Sequence, residues 1–192
     1  YLPLGRGKTR VVFMKVQFGD TPTTIRDILN NEHSRVATDK VLGYIQSCPD
    51  KIGELMACFF DDHPRICQRA AWPVGDLGER YPELVIPYLP QMIANLKAPK
   101  HDAVIRNTVR TWQYMSIPED YLGEIFELCF NYITDPNIPV AIRAFSMTVC
   151  ANICKTVPEL KEELILAIEE QLEHGSAGIK SRGTNVIKLL SS

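Results

Sequence analysis

The chain has little of what most site chemistries require. It carries four histidines, and no His-Glu-x-x-His pair, Ser-His-Asp order, paired buried carboxylates or Gly-rich phosphate loop stands at a usable position. The sequence therefore gives no positive sign of an enzyme, and no cofactor or metal is expected. None of the six cysteines forms a Cys-x-x-Cys pair. They fall inside apolar-periodic segments, so they read as reduced core residues, and the Cys150/Cys154 pair has no histidine following at ligand spacing. No apolar run approaches the roughly 20 residues that span a bilayer, and no signal-peptide order is present. The default expectation is a cytoplasmic protein with no membrane partner. Charge of one sign is also missing: 21 Lys and Arg against 23 Asp and Glu leave a net charge of -2, which argues against the broadly basic surface of a non-specific nucleic-acid binder.

What is present is a repeat. Arg35, Arg69, Arg106, Arg143 and Arg182 recur at intervals of 34, 37, 37 and 39 residues. Pro-acidic pairs at 49–50, 82–83, 118–119 and 158–159 interleave with them. Two interleaved markers with a period in the thirties indicate helix pairs that cannot bury their apolar faces alone and stack on their neighbours. With 192 residues, 45% of them hydrophobic, the chain can form a core without disulfides.

The periodicity predicts five helix pairs over 21–192. Residues 1–20 share nothing with the repeat and read as an N-terminal extension, disordered or extraneous, with Met14 a candidate natural start. Thr23 or Thr24 is the expected first N-cap. Pro73, followed by Gly75 and Gly78, predicts a kinked or broken helix, and Pro87 and Pro90 should bend the first helix of the third pair. The second helix of the fourth pair is apolar around most of its circumference and should lie deep in the stack. Glu162, Glu163, Glu169, Glu170 and Glu173 should face outward on the last pair, as on a terminal cap.

These features resemble the HEAT and armadillo superfamily of α-solenoids: a helix-turn-helix unit, a proline in its first helix, an Asp-bearing turn and an Ile-Arg step opening the second helix, as in Asp102-Ala-Val-Ile-Arg106. More closely, Arg69-Ala-Ala-Trp72, Ala144-Phe-Ser-Met-Thr148 and the Lys180–Leu190 stretch look like small bacterial HEAT-like proteins of the Bacteroidetes that are often labelled adenylosuccinate lyase. The lyase label does not fit these residues. That superfamily's loop reads Gly-Ser-Ser-x-Met-Pro-x-Lys, and the nearest stretch here, Gly175-Ser176-Ala177-Gly178-Ile179-Lys180, lacks the Met-Pro. It reads as the turn of the last pair. The resemblance implies an all-α, right-handed α-solenoid of about five HEAT-like helix pairs that binds a protein or peptide on its concave face, as a monomer or weak homodimer.

Second helices of such units line the concave face. The expected binding residues are Arg65, Arg69, Trp72, Asp76, Arg106, Asn107, Arg110, Tyr114, Arg143 and Asn152, with Arg80, Gln113 and Lys155 beside them. The repeating arginines are expected chiefly to form a structural ladder, pairing with turn acids such as Asp62, Asp102 or Asp135. Arg110 has no equivalent in the other repeats, so it should be free for binding, whereas Arg106 should belong to the ladder. Trp112 should be core and Trp72 a candidate anchor. His63, His101 and His174 fall at turns, too far apart to share a metal. The alternative function, also taken from the resemblance, is DNA binding related to the HEAT-like glycosylases for alkylated bases, with Trp72, Asp76, Arg110 and Trp112 in the working roles. A pigment lyase or isomerase has no supporting residue.

Overall fold

A computed structural model describes residues 24–191. The extension expected over 1–20 lies outside them. Among the described residues all regular structure is helical, arranged as five consecutive pairs: α1 (Ile25–Asn31) with α2 (Arg35–Ser47), α3 (Ile52–Phe59) with α4 (Pro64–Arg80), α5 (Pro82–Val85) and α6 (Leu89–Leu96) with α7 (Asp102–Trp112), α8 (Glu119–Thr134) with α9 (Val140–Ile153), and α10 (Lys161–His174) with α11 (Ala177–Ser191). The second helices form one continuous layer, each packing on the next from α2 through α4, α7 and α9 to α11. The first helices pack α1 on α3 and α8 on α10. The all-α solenoid expected from the repeat is the fold observed.

Local signals set most boundaries. Thr24 closes a capping box on α1: its hydroxyl accepts from the Asp27 N–H at 3.1 Å, and the Asp27 carboxylate accepts from the Thr24 N–H at 3.0 Å. Ser34 caps α2. Three Pro-acidic markers work as starts, Pro82 at the first residue of α5 and Pro49 and Pro158 opening 3-10 turns ahead of α3 and α10. Pro118 is itself the N-cap of α8. Pro87 and Pro90 interrupt the first helix of the third pair as expected, splitting it into α5, a 3-10 turn over Ile86–Tyr88, and α6.

Pro73 does not break α4, which runs unbroken from Pro64 to Arg80. A mid-helix proline costs on the order of 3 kcal/mol, and burial offsets it, because residues 73–78 are all buried where α4 packs against α7. Gly75 and Gly78, read in the sequence as helix-breaking signals, are packing residues instead. A Cβ on Gly78 would lie 2.8 Å from the Thr111 Cβ and closer still to its two γ atoms, and one on Gly75 would overlap the Asn107 amide. Their lack of a side chain is what lets α7 approach.

The core runs through all five pairs, with Trp112, Phe59, Leu55, Met92 and Ile133 fully enclosed. As expected, α9 is buried around most of its circumference, Arg143 included, and the five glutamates of α10 are exposed. Five cysteines are buried, but Cys48 is exposed, correcting the expectation that all six are core. It stands at the C-cap of α2, after the last buried turn. Burial pushes the thiols of Cys58, Cys67, Cys150 and Cys154 above their ordinary range, which disfavours the nucleophilic thiolate.

The α4–α7 contact predicts opposite effects for two glycines. Gly78→Ala should cost about 1–3 kcal/mol by overpacking against Thr111. Gly123→Ala, mid-helix on α8 with open space where its Cβ would stand, should stabilise by about 0.5–1 kcal/mol. Urea denaturation midpoints check both, and a Gly78→Ala protein as stable as the parent would refute the close approach.

Candidate functional site

Three second helices each present one stripe to a shared groove. From α4 come Gln68 and Trp72, one turn apart; from α7, Ala103, Arg106, Asn107 and Arg110; from α9, Ala141, Ile142 and Phe145. The first residue of α7, Asp102, and the turn residues His33, His101 and Pro139 complete the lining. These residues enclose about 740 Å³, a volume in the range of ligand-binding clefts. The floor is largely apolar, from Ala103, Ala141, Ile142 and Phe145. Trp72 is half-buried, its indole meeting the His33 ring edge-on at a centroid distance of 6.2 Å.

Four of the ten expected binding residues line this groove: Trp72, Arg106, Asn107 and Arg110. Structural bonds hold several of the rest. Arg69 donates to the Leu29 and Asn30 carbonyls at 2.7 and 2.8 Å. Arg143, buried, donates from Nε to the Ile133 carbonyl at 3.2 Å and from its guanidinium to Gln171 at 2.6 Å. Both arginines thus neutralise the carbonyl-rich end of a first helix, where acceptors lack intrahelical partners and the helix dipole favours a cation. Asn152 donates to the Gln113 carbonyl at 3.0 Å, just past the end of α7, and accepts from Lys155. Arg65 and Tyr114 are exposed but do not line the groove.

Asp76 is the largest correction. Its carboxylate is only 5% exposed and takes a different arginine on each oxygen, Arg35 at 2.5 Å and Arg110 at 3.1 Å. Arg110 reaches Glu79 as well, at 2.6 Å, and Arg35 reaches Asp39 at 3.0 Å. The clamp therefore spans α2, α4 and α7. A buried carboxylate without such partners would be strongly destabilising, so Asp76 and Arg110 are both spent on holding three repeats together.

The arginine ladder differs correspondingly from the expected one. None of its members pairs with Asp62, Asp102 or Asp135 among the described residues. Arg69 and Arg143 cap first helices, Arg35 joins the Asp76 clamp, and Arg182 donates to Thr148 at 2.5 Å and Gln113 at 3.2 Å. Arg106 is the exception: it is exposed, and among the described residues it makes no ion pair or hydrogen bond. The expected roles of Arg106 and Arg110 are thus exchanged, because Arg110 lies one turn further along α7, at the level of the buried Asp76.

The turn acids have other partners. Asp62 pairs with Lys100 at 3.1 Å, and Asp61 with Arg26 at 2.6 Å. The hydrogen bond from Arg26, reinforced by the His63 N–H, holds the Asp61 carboxyl below the usual carboxylate range.

Gln68, His33, His101, Asp102, Ala103, Pro139, Ala141, Ile142 and Phe145 line the groove beyond the residues expected there. Gln68 and Ala103 could have been found, since each shares a helix face with a named residue at i, i+4 or i, i+3. Phe145 gave no such signal. On a helix apolar almost all round, periodicity does not separate a groove-facing aromatic from a core one.

The fold and groove stand beside one family match. A model of the HEAT repeat domain matches residues 25–190. The chain belongs to the HEAT repeat family. No curated protein and no solved structure matches it significantly. HEAT repeats commonly mediate protein interaction, and the groove across α4, α7 and α9 combines aromatic, apolar and charged side chains. Among the described residues no helix is long and apolar enough to cross a membrane, and no cluster of His, Cys, Asp and Glu has the arrangement of a metal site.

Two outcomes test this geometry. Arg110→Glu should destabilise the repeat array by about 3 kcal/mol or more, since it sets a new carboxylate against Asp76, while Arg106→Ala should change stability by less than about 0.5 kcal/mol. Thermal melts of the two variants decide it, and equal effects would refute the clamp. The Asp61 carboxyl, lowered in the folded chain, contributes stability above the ordinary carboxylate range that is lost as pH falls through about 4 and below. The difference in Tm between the parent and Asp61→Asn should therefore shrink on acidification, and a difference independent of pH would contradict the pairing with Arg26.

Proposed function

We propose that this chain is a non-catalytic interaction scaffold that takes a segment of a partner protein into the groove across α4, α7 and α9. The observation that carries this reading is the composition of the groove wall: a half-buried Trp72 braced by His33 above an apolar floor, with an exposed Arg106 that has no partner among the described residues. Tryptophan and arginine are the residue types that most often dominate binding energy at interfaces, where a large ring fills a desolvated position and a guanidinium fixes a partner's orientation. Their supports are rigid. Trp72 and Arg106 project from helices whose spacing the Asp76 clamp and the Gly75/Gly78 contact hold, so little ordering cost falls on the scaffold when a partner docks.

The DNA-binding alternative draws less support from the same geometry. Of the four residues it would use, Trp112 has no exposed surface and Asp76 is closed between two arginines. Trp72 and Arg110 alone face the groove, and Arg110 is occupied by Asp76 and Glu79. A carboxylate held this way is poorly placed to receive a base.

The test is affinity capture from native lysate treated with nuclease, with the parent chain run beside Trp72→Ala and Arg106→Glu and the captured proteins read by mass spectrometry. A partner recovered near stoichiometry with the parent and lost with both variants, at unchanged melting temperature, is the expected result. Recovery unaffected by either substitution would place the interaction elsewhere and sink the groove reading. Excision of an alkylated base from duplex by the parent chain would establish the alternative.

A further inference from the structure

We infer that the partner segment is an acidic peptide, with a carboxylate bound by Arg106 and a large apolar side chain beside it seated on Trp72 and Phe145; this rests on the groove being the binding surface. Two guanidiniums line the groove, and Arg110 is neutralised by Asp76 and Glu79. Arg106 has no ion-pair partner among the described residues. Asp102 stands one turn earlier on α7, at a spacing that favours a pair, yet the two make no ion pair. Asp102 instead occupies the first turn of α7, where its charge complements the helix dipole.

The backbone of α9 adds to the same sign. Its first turn opens on the groove through Ala141 and Ile142, whereas the first turn of α7 is capped by His101 and complemented by Asp102. The residue preceding α9 is Pro139, which supplies no side-chain cap, so the positive end of that helix is not screened by a side chain of its own cap. Next to this positive rim lies an apolar wall rather than further basic residues. A phosphodiester backbone would need a track of cations, whereas among the described residues the groove offers one guanidinium without a partner, beside an aromatic surface. A carboxylate accepts two parallel N–H bonds from a guanidinium, and an adjacent leucine, isoleucine or aromatic side chain would displace water from Trp72 and Phe145. The occupant that satisfies both is a short segment with Asp or Glu next to such a side chain.

The test selects displayed random heptapeptides on the immobilised full chain and on its Arg106→Glu and Trp72→Ala variants. Synthetic fluorescein-labelled copies of the selected sequences are then titrated by fluorescence anisotropy, which reads the parent and both variants alike. The expected result is enrichment of Asp or Glu beside a large apolar residue on the parent, and affinity lowered about tenfold or more by either substitution. Arg106→Glu should in turn prefer the same peptide with Lys in place of its acid. Peptides that depend on Trp72 but carry no acidic residue, and bind Arg106→Glu unchanged, would overturn the acidic-partner inference and leave the groove reading intact. Selection indifferent to both substitutions, or none at all on the parent, would overturn both. Retention of a labelled duplex that is lost with Arg106→Glu, with no peptide enriched, would overturn both in favour of nucleic acid.

Discussion

A single buried carboxylate holds the middle of this solenoid in register. Asp76 lies inside the second-helix layer, accepting Arg35 from one neighbouring repeat and Arg110 from the other. Its alternatives are poor, because an unpaired carboxylate at that depth would cost several kcal/mol. The geometry in which both arginines reach it is therefore strongly selected. Register between α2, α4 and α7 follows from that constraint, and so does the lateral position of Trp72, one turn before Asp76, relative to Arg106, one turn before Arg110. The groove is in this sense a by-product of a clamp located beneath it.

Close packing does the complementary work. Polar clamps specify which residues meet, but they do not draw two helices together; the absence of side chains at Gly75 and Gly78 does that, letting α7 settle against α4 over the buried turn that contains Pro73. Towards the chain ends the interactions are of another kind. Arg69 and Arg143 satisfy carbonyls at the ends of α1 and α8, and Arg182 with Asn152 ties α11 and α9 to the end of α7. One repeating residue type thus performs three tasks: helix capping, carboxylate clamping and cross-layer hydrogen bonding. Among the described residues Arg106 performs none of them.

The contrast between Arg106 and Arg110 shows where sequence reasoning reached its limit. Recurrence identified Arg106 as one of a ladder, and recurrence is a sound guide to equivalent backbone positions. It does not say which side chain finds a partner, because that depends on what the neighbouring repeat presents at the same level. Asp76 lies far enough along α4 to be met by Arg110 rather than Arg106. Pro73 carried a similar ambiguity: the same Pro-Gly-rich run that signals a break in an isolated helix becomes a close-packed surface when another helix lies across it.

By itself the sequence determined the helix pairs, their number, most of their starts and nearly all of their buried stripe. Those features follow from short-range physics, from apolar spacing at 3.6 residues, prolines in first turns, and Thr24 and Ser34 at N-caps. Only the tertiary structure decided which polar residues are spent and which are free, that Gln68, Trp72, Arg106 and Phe145 meet around one groove, and that Trp112 and Asp76 are withdrawn from it. Those outcomes depend on the distances between side chains on different repeats, and a residue's own stretch of chain carries no information about the charge, volume or carbonyl that a neighbouring helix will place against it.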